Sequence, residues 1–458
     1  MRKTYRFFGA AAGLASQRWR AFSIGGDWAL TLARDVQHNL RWFFYDGLFA
    51  SASDNIINTY LTFYILALGA TGAQIGYLSS LSGTISALML LPGAFLVERL
   101  GRRKELTVLS GGGLARAMLL LLAFLPAVWT GQNLVWVAIA LVLMRDAFGN
   151  LAYPAWMSMI ADIVPLSGRG RYFASRNIVM GIAGMASTLV VGAFISRFAQ
   201  PFGYQMALCF AFVVGMISTY SFARLRDPLA RPARVTGLPS RVRFPKRLRL
   251  LGRLRVSWRV SWREIGQHKG FVMLAMTAIL WNFSLNIAGP FFNVYMAREL
   301  HVTPTLIAIN SAASTVAGMA IQLSAGRLAD RWGPRRLQLL LGFMIPLLPF
   351  AWIFVTAGWQ IIPINIVGGA LWGIYNLAAF NLLLELIPEA QRARYSALYQ
   401  VITTVSLAAG AAFGSQLLTH FGFRALFLGS SIGRFAAAIL FAFWVRPPKL
   451  QTDTADAG

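Results

Sequence analysis

Twelve apolar runs, each close to the length that crosses a bilayer, constrain this chain more than any other feature. They lie near 44–69, 73–97, 106–128, 134–161, 174–197, 204–223, 271–297, 304–326, 337–357, 360–387, 395–419 and 424–445. A spanning helix needs roughly 20 apolar residues. Lipid offers the backbone no hydrogen-bond partner, so single runs of this length must be helical. The expected fold class is an all-α membrane protein of twelve transmembrane helices. Composition agrees, because 57% hydrophobic and 13% charged residues do not suit a soluble enzyme of 458 residues. The net charge of +26 lies in the breaks between runs and not on one folded face, which excludes nucleic acid as the partner. Anionic lipid headgroups can neutralise it there. The lone Cys209 cannot form a disulfide within the chain.

The basic residues give an orientation. Breaks after even-numbered runs carry Arg99, Arg102, Arg103 and Lys104; Arg169 and Arg171; Arg327, Arg331, Arg335 and Arg336; Arg392 and Arg394. Breaks after odd-numbered runs carry only Arg197, Arg298 and Arg424. The positive-inside rule then puts both termini in the cytoplasm. Residues 1–43 read as a basic cytosolic tail. Its opening resembles a short signal peptide, but QRWR follows the apolar part where a mature soluble domain should begin. Trp28, Leu30, Leu32, Val36 and Leu40 among Arg34, Asp35 and Arg41 suit an interfacial helix there. Residues 224–269 read as a basic cytosolic linker, either lying on anionic lipid or solvated, and 447–458 as a cytosolic C-terminal tail.

The chain also repeats itself. AFLVERLGRRK at Ala94 to Lys104 is a degraded copy of GRLADRWGPRR at Gly326 to Arg336. Glu98 and Asp330 are separated by 330 − 98 = 232 residues, as are Thr71 and Thr303. DIVPLSGRGRY at Asp162 matches ELIPEAQRARY at Glu385, with acid, Pro, two Arg and Tyr in register. Two matches in corresponding breaks identify a duplicated unit, 44–223 and 270–446, of six helices each.

The Gly, Asp, Arg, Gly, Arg spacing of the second copy resembles the loop signature of the major facilitator superfamily of membrane transporters. That resemblance implies two pseudo-symmetric six-helix halves around a central site. It also implies that Glu98, Arg99, Gly101, Arg102, Asp330, Arg331, Gly333 and Arg335 act as conformational-gate loops on the cytosolic side. Ala94 and Glu98 depart from the signature.

Charges inside spans are costly and usually face a cavity. Ser51, Asp54, Asn58 and Thr62 share one face of the first helix at spacings of three and four. The seventh shows Trp281, Asn282, Asn286 and Asn293, and the 232 offset sets Asn286 opposite Asp54. The fourth offers Arg145, Tyr153 and Trp156; the tenth, Asn365, Trp372 and Asn376. In the superfamily the first, fourth, seventh and tenth helices line the cavity. LVLMRDAFG at Leu141 resembles its fourth-helix pattern, in which the arginine bears on proton coupling, although Phe148 replaces the usual polar residue. Asp54 either takes a proton or contacts substrate with Arg145 tuning it, or the two form a fixed ion pair. Arg116 and Arg434 also lie within spans, without a motif. The GP-containing fifth-helix signature of the drug antiporters is absent from NIVMGIAGMASTLVVG, which speaks against drug efflux by antiport.

Other chemistry finds no support. GSSIG at Gly429 fits a hydrolase nucleophile pattern but falls inside a span. His38, His268, His301 and His420 show no metal-ligand spacing. No phosphate-cradling loop supports ATP-driven transport, and no cofactor is implied. The expectation is a secondary transporter in a bacterial inner membrane, moving a small molecule, with protons as a candidate co-substrate. The alternative is a transporter-like receptor or assembly factor.

Overall fold

The computed structural model describes residue 19 and residues 21–131, 133–227, 268–387 and 392–445. Residues 228–267 of the expected linker 224–269, all of the expected tail 447–458 and most of the first twenty residues lie outside the described residues. Among those described, every regular element is helical. In chain order they are α1 (Arg34–Ala67), α2 (Gly72–Leu100), α3 (Arg103–Val128), α4 (Leu134–Ile163), α5 (Arg169–Ile195) and α6 (Phe202–Ala223). Then come α7 (Lys269–Arg298, broken at Gly289), α8 (Pro304–Trp332), α9 (Pro334–Met344 continued by Leu347–Trp352) and α10 (Ile361–Leu386). The run Arg392–Trp444 bends at Gly422, whose φ of 75° breaks the helical path, and divides into α11 (392–421) and α12 (423–444). Nine of these helices, counting the bent run once, are long and apolar enough to cross a membrane. α1 falls short because Asp46, Asp54, Asn55 and Asn58 dilute its apolar run. α9 falls short because it is broken into two shorter pieces.

α1 starts at Arg34, ten residues before the apolar run at 44. The helix continues through the amphipathic stretch that sequence alone suggests lies on a lipid surface. Leu40 and Phe43 are buried against Tyr172, whose hydroxyl donates to Leu40 O at 2.7 Å.

The duplication has consequences in the backbone. Thr71 caps α2 by accepting from Gln74 N at 3.2 Å, and Thr303 accepts from Leu306 N at 3.4 Å ahead of α8. Gly101 ends α2 at φ 63°, and Gly333, 232 residues on, follows α8 at φ 74°. A Cβ disfavours that region, so a tight helix end there selects glycine. Tyr172 and Tyr395, from the second repeat match, are both buried, the first against α1 and the second edge-on to Phe271 of α7 at 4.7 Å.

Helices α1–α6 pack chiefly among themselves, and α7–α12 likewise. The two bundles meet along α2 with α11 and along α5 with α8. Every cross-bundle hydrogen bond among the described residues lies toward the end with the poorly basic breaks. Arg298 donates to Ala70 O at 2.5 Å, Ser415 to Ala73 O at 3.1 Å, Gln416 to Tyr77 Oη at 3.0 Å, and Tyr60 to Pro304 O at 3.3 Å. Ser196 and Thr305 join α5 to α8 at 2.8 Å. The α2–α11 register pairs 76 with 415 and 83 with 408, both summing to 491. Extended to 91 and 400, it reaches Leu91 and Gln400, and both are exposed. The bundles are therefore closed at one end and parted at the end bearing the basic breaks.

Candidate functional site

Two cavities open between the helices. The first, of about 530 Å³, lies within α1–α6. Asp54 is exposed to it from α1, and Arg145, Asp146 and Tyr153 line it from α4. The ion pair here is not the one the spacing suggests. Arg145 holds its neighbour Asp146 at 3.0 Å, and Asp146 also accepts from Ser82 of α2. Asp54 instead lies within electrostatic reach of Arg116 from α3. Arg116 donates weakly to Ser53 and Ser218, each at 3.3 Å, and its Nε has no acceptor. Deeper in, Asp46 accepts from Ser218 at 2.8 Å and faces Arg176 at 3.7 Å. The Arg176 guanidinium sits 4.0 Å over the Phe43 ring and donates to Phe43 O. Three carboxylates thus face three guanidiniums around one water-accessible space. In so apolar a setting each charge is tolerated only while it is matched.

The second cavity, of about 610 Å³, lies mainly among α7–α10. Asn58 lines both cavities and joins them. Asn293, Asn310 and Asn365 supply amides, Trp352 and Trp372 supply aromatic walls, and Arg434 enters from α12. Among the described residues, no carboxylate lines this side.

The structure brings Asp54, Asn58, Arg145, Tyr153 and Trp372 to these cavities, but not the other four expected residues. Trp281 is buried, stacked on Tyr375 at 5.1 Å. Asn282 spends its amide on Ala278 O of its own helix at 2.8 Å. Asn286, the repeat mate of Asp54, ties α7 to α11 through Leu407 O at 2.8 Å. Asn376 is exposed but lines neither space. Repeat position thus carries over backbone placement and not side-chain role. GSSIG is a packing device: Ser430 donates to Ser284 O at 2.6 Å and Ser431 to Pro346 O at 2.8 Å.

At the gate loops, Glu98, Arg99, Arg102 and Arg331 are exposed, and no ion pair forms at any of them among the described residues. The side chain of Asp330 lies outside those described. Arg335 caps the end of α12 by donating to Val445 O and Ala442 O. The 232 offset maps Arg335 onto Arg103, which sequence reasoning passed over in favour of Arg102. Arg103 is buried and joins Asp162 at 2.6 Å with Asp227 at 2.5 Å, fastening α3 to the ends of α4 and α6. That offset is the signal that finds it.

This architecture of paired bundles, a closed end and a central polar space can be compared with known proteins. A family model described as the Major Facilitator Superfamily matches residues 47–287 and 274–458. The chain belongs to the major facilitator superfamily. Its relatives include the multidrug resistance protein MdtG of Dickeya zeae, 26% identical over 414 residues, covering 86% of this chain and 91% of that one. The multi-drug resistance efflux pump PmrA of Streptococcus pneumoniae is 22% identical over 415 residues, covering 86% and 92%. Among solved structures, the nucleoside transporter NupG superposes with a TM-score of 0.64 at 13% identity, over 89% of this chain and 99% of that one. The D-xylose-proton symporter gives 0.61 at 15% identity, over 88% and 96%. This major facilitator protein is a multi-pass integral membrane protein and a secondary active transporter, not an enzyme. The receptor or assembly-factor alternative is not favoured.

Proposed function

We propose that the chain is a proton-coupled exporter of amphipathic organic solutes. The halves 44–223 and 270–446 would rock as units, with 1–43, 224–269 and 447–458 on the cytosolic face of a bacterial inner membrane. The basic breaks favour that orientation, and the parted end is then the cytosolic one. The observation that carries the reading is the division of labour between the cavities. The first holds the ionised groups, with Asp54 exposed to it in reach of Arg116. The second offers amides and tryptophans, a surface for a solute with both apolar and hydrogen-bonding parts. Asn58 couples them by belonging to both. Export is supported by the relatives named for drug resistance and efflux. The missing fifth-helix signature speaks against antiport, and the relatives named for efflux outweigh it in this reading.

The test is proton movement. In proteoliposomes loaded with a pH dye, adding an amphipathic dye substrate on the solute-entry side should drive protons the opposite way. The movement should scale with protein and collapse with a protonophore. Solute flux without proton movement would leave a uniporter.

A further inference from the structure

Arg434 is a buried cation that no described acidic residue matches. It is 3% exposed and lines the second cavity. Two other arginines are comparably buried, and each meets carboxylate: Arg103 with Asp162 and Asp227, Arg176 with Asp46. Among the described residues, Arg434 has no acidic partner. Its Nη2 donates to Leu285 O at 3.2 Å, and its Nε is shut from solvent with no acceptor. Its ionisable neighbour is the Tyr375 hydroxyl, which is neutral at physiological pH.

The position is built, not accidental. Ser430 and Ser431 fasten α12 to Ser284 O and Pro346 O just before it. α12 approaches α7 so closely that a Cβ on Gly433 would fall 2.3 Å from Ser284 Oγ. That packing fixes the backbone from which Arg434 reaches the cavity. A single hydrogen bond to a carbonyl does not need a full charge, since a neutral amide would serve. A guanidinium held in a low-dielectric wall without an anion is costly, and it presents a planar fork that fits carboxylate, sulfonate or phosphate.

We infer that Arg434 receives the anionic group of the transported solute, so that the second cavity selects amphipathic organic anions. The Asn293 and Asn365 amides on the same cavity would add neutral donors, and Trp352 and Trp372 would flank the solute's apolar body. The inference rests on the reading of the second cavity as the solute site, but it needs no proton coupling.

The experiment is equilibrium binding to the purified full chain in detergent, followed by thermal shift and titration calorimetry. The probes are naphthalene-2-carboxylate and naphthalene-2-sulfonate, compared with naphthalene-2-carboxamide, naphthylmethylammonium, and chloride or inorganic phosphate alone. Both aryl anions should bind at least about tenfold more tightly than the amide, the factor expected of a charge-assisted hydrogen bond. The preference should vanish in Arg434→Gln, which keeps a donor for Leu285 O, and persist in part in Arg434→Lys. Asp54→Asn should keep the preference, which separates this inference from the coupling mechanism. Equal affinity for anion and amide, or an undiminished preference in a folded Arg434→Gln, would overturn it. So would a shift by chloride or phosphate equal to that of the aryl anions, meaning an inorganic counter-ion alone. If Arg434→Gln does not fold, the wild-type ranking of the probes and the Arg434→Lys affinities decide.

Discussion

Asp54→Asn abolishes transport driven by a pH gradient while leaving expression, folding and downhill exchange intact. Asparagine has nearly the shape of the protonated carboxylic acid, so the substitution fixes one of the two states that a proton carrier must visit. In wild type, Asp54 and Asp46 together balance Arg116, whose hydrogen bonds go to the Ser53 and Ser218 hydroxyls. Protonation removes that balance. The conformation in which the first cavity is open to water then loses that electrostatic balance, and the equilibrium between the two conformations shifts. Cycling between the two states links proton movement to rocking. With asparagine the link is gone, and the halves respond to solute alone. The assay is dye flux in proteoliposomes under an imposed pH gradient, beside counterflow without one. Loss of the first with retention of the second is the expected pair. Coupling that survives Asp54→Asn would remove Asp54 from the mechanism and point to Asp46 or Asp146 in the same cavity.

Gly76→Leu has the second large effect, through conformation and not chemistry. A Cβ at Gly76 would fall 2.6 Å from Ser415 Cβ and 2.8 Å from the Phe291 ring. Both belong to the opposite bundle, so the clash exists only when this end is closed. The three atoms nearest to that Cβ all lie in the opposite bundle. Overpacking of this kind costs about 1–3 kcal/mol, which biases the two states by about 5- to 150-fold. The variant should fold normally and bind solute from the face at this end, yet turn over slowly because closure here has become unfavourable. Transport at the wild-type rate would mean that α2 and α11 need not meet here.

The fold was legible because it is written in a coarse variable. Runs of twenty apolar residues and basic breaks survive any local uncertainty, and the repeated loop exposes the duplication. Gly101 and Gly333 are legible for the same reason: both repeat positions take a positive φ that favours glycine. The site was legible only in part. Asp54, Asn58 and Arg145 announce themselves as polar groups inside apolar runs, and they do face the first cavity. Asn286 looks equivalent to Asp54 by symmetry, yet an amide can also satisfy a neighbouring backbone, and that is what it does with Leu407. Asp46 and Arg176 were readable as intramembrane charges, but Asp46 sits near the start of its run, where a charge reads as a span end. The α8 wall of the second cavity, Asn310, Ser311 and Ser314, was hidden because small polar residues also serve helix packing. Whether Arg145 pairs with Asp54 or Asp146 depends on side-chain reach across a cavity, which spacing in the sequence does not encode.

The central claim is that two rigid halves alternate, closed at one end when open at the other. Spin labels replacing Tyr77 and Gln416 report the closed end, where the native side chains lie 3.0 Å apart. Labels replacing Leu91 and Gln400, both exposed, report the parted end. Pulsed electron–electron distance measurement, at rest and under a pH gradient with solute, should show the first pair lengthening as the second shortens. Two pairs that lengthen together, or that keep their distances while the protein turns over, would contradict the account.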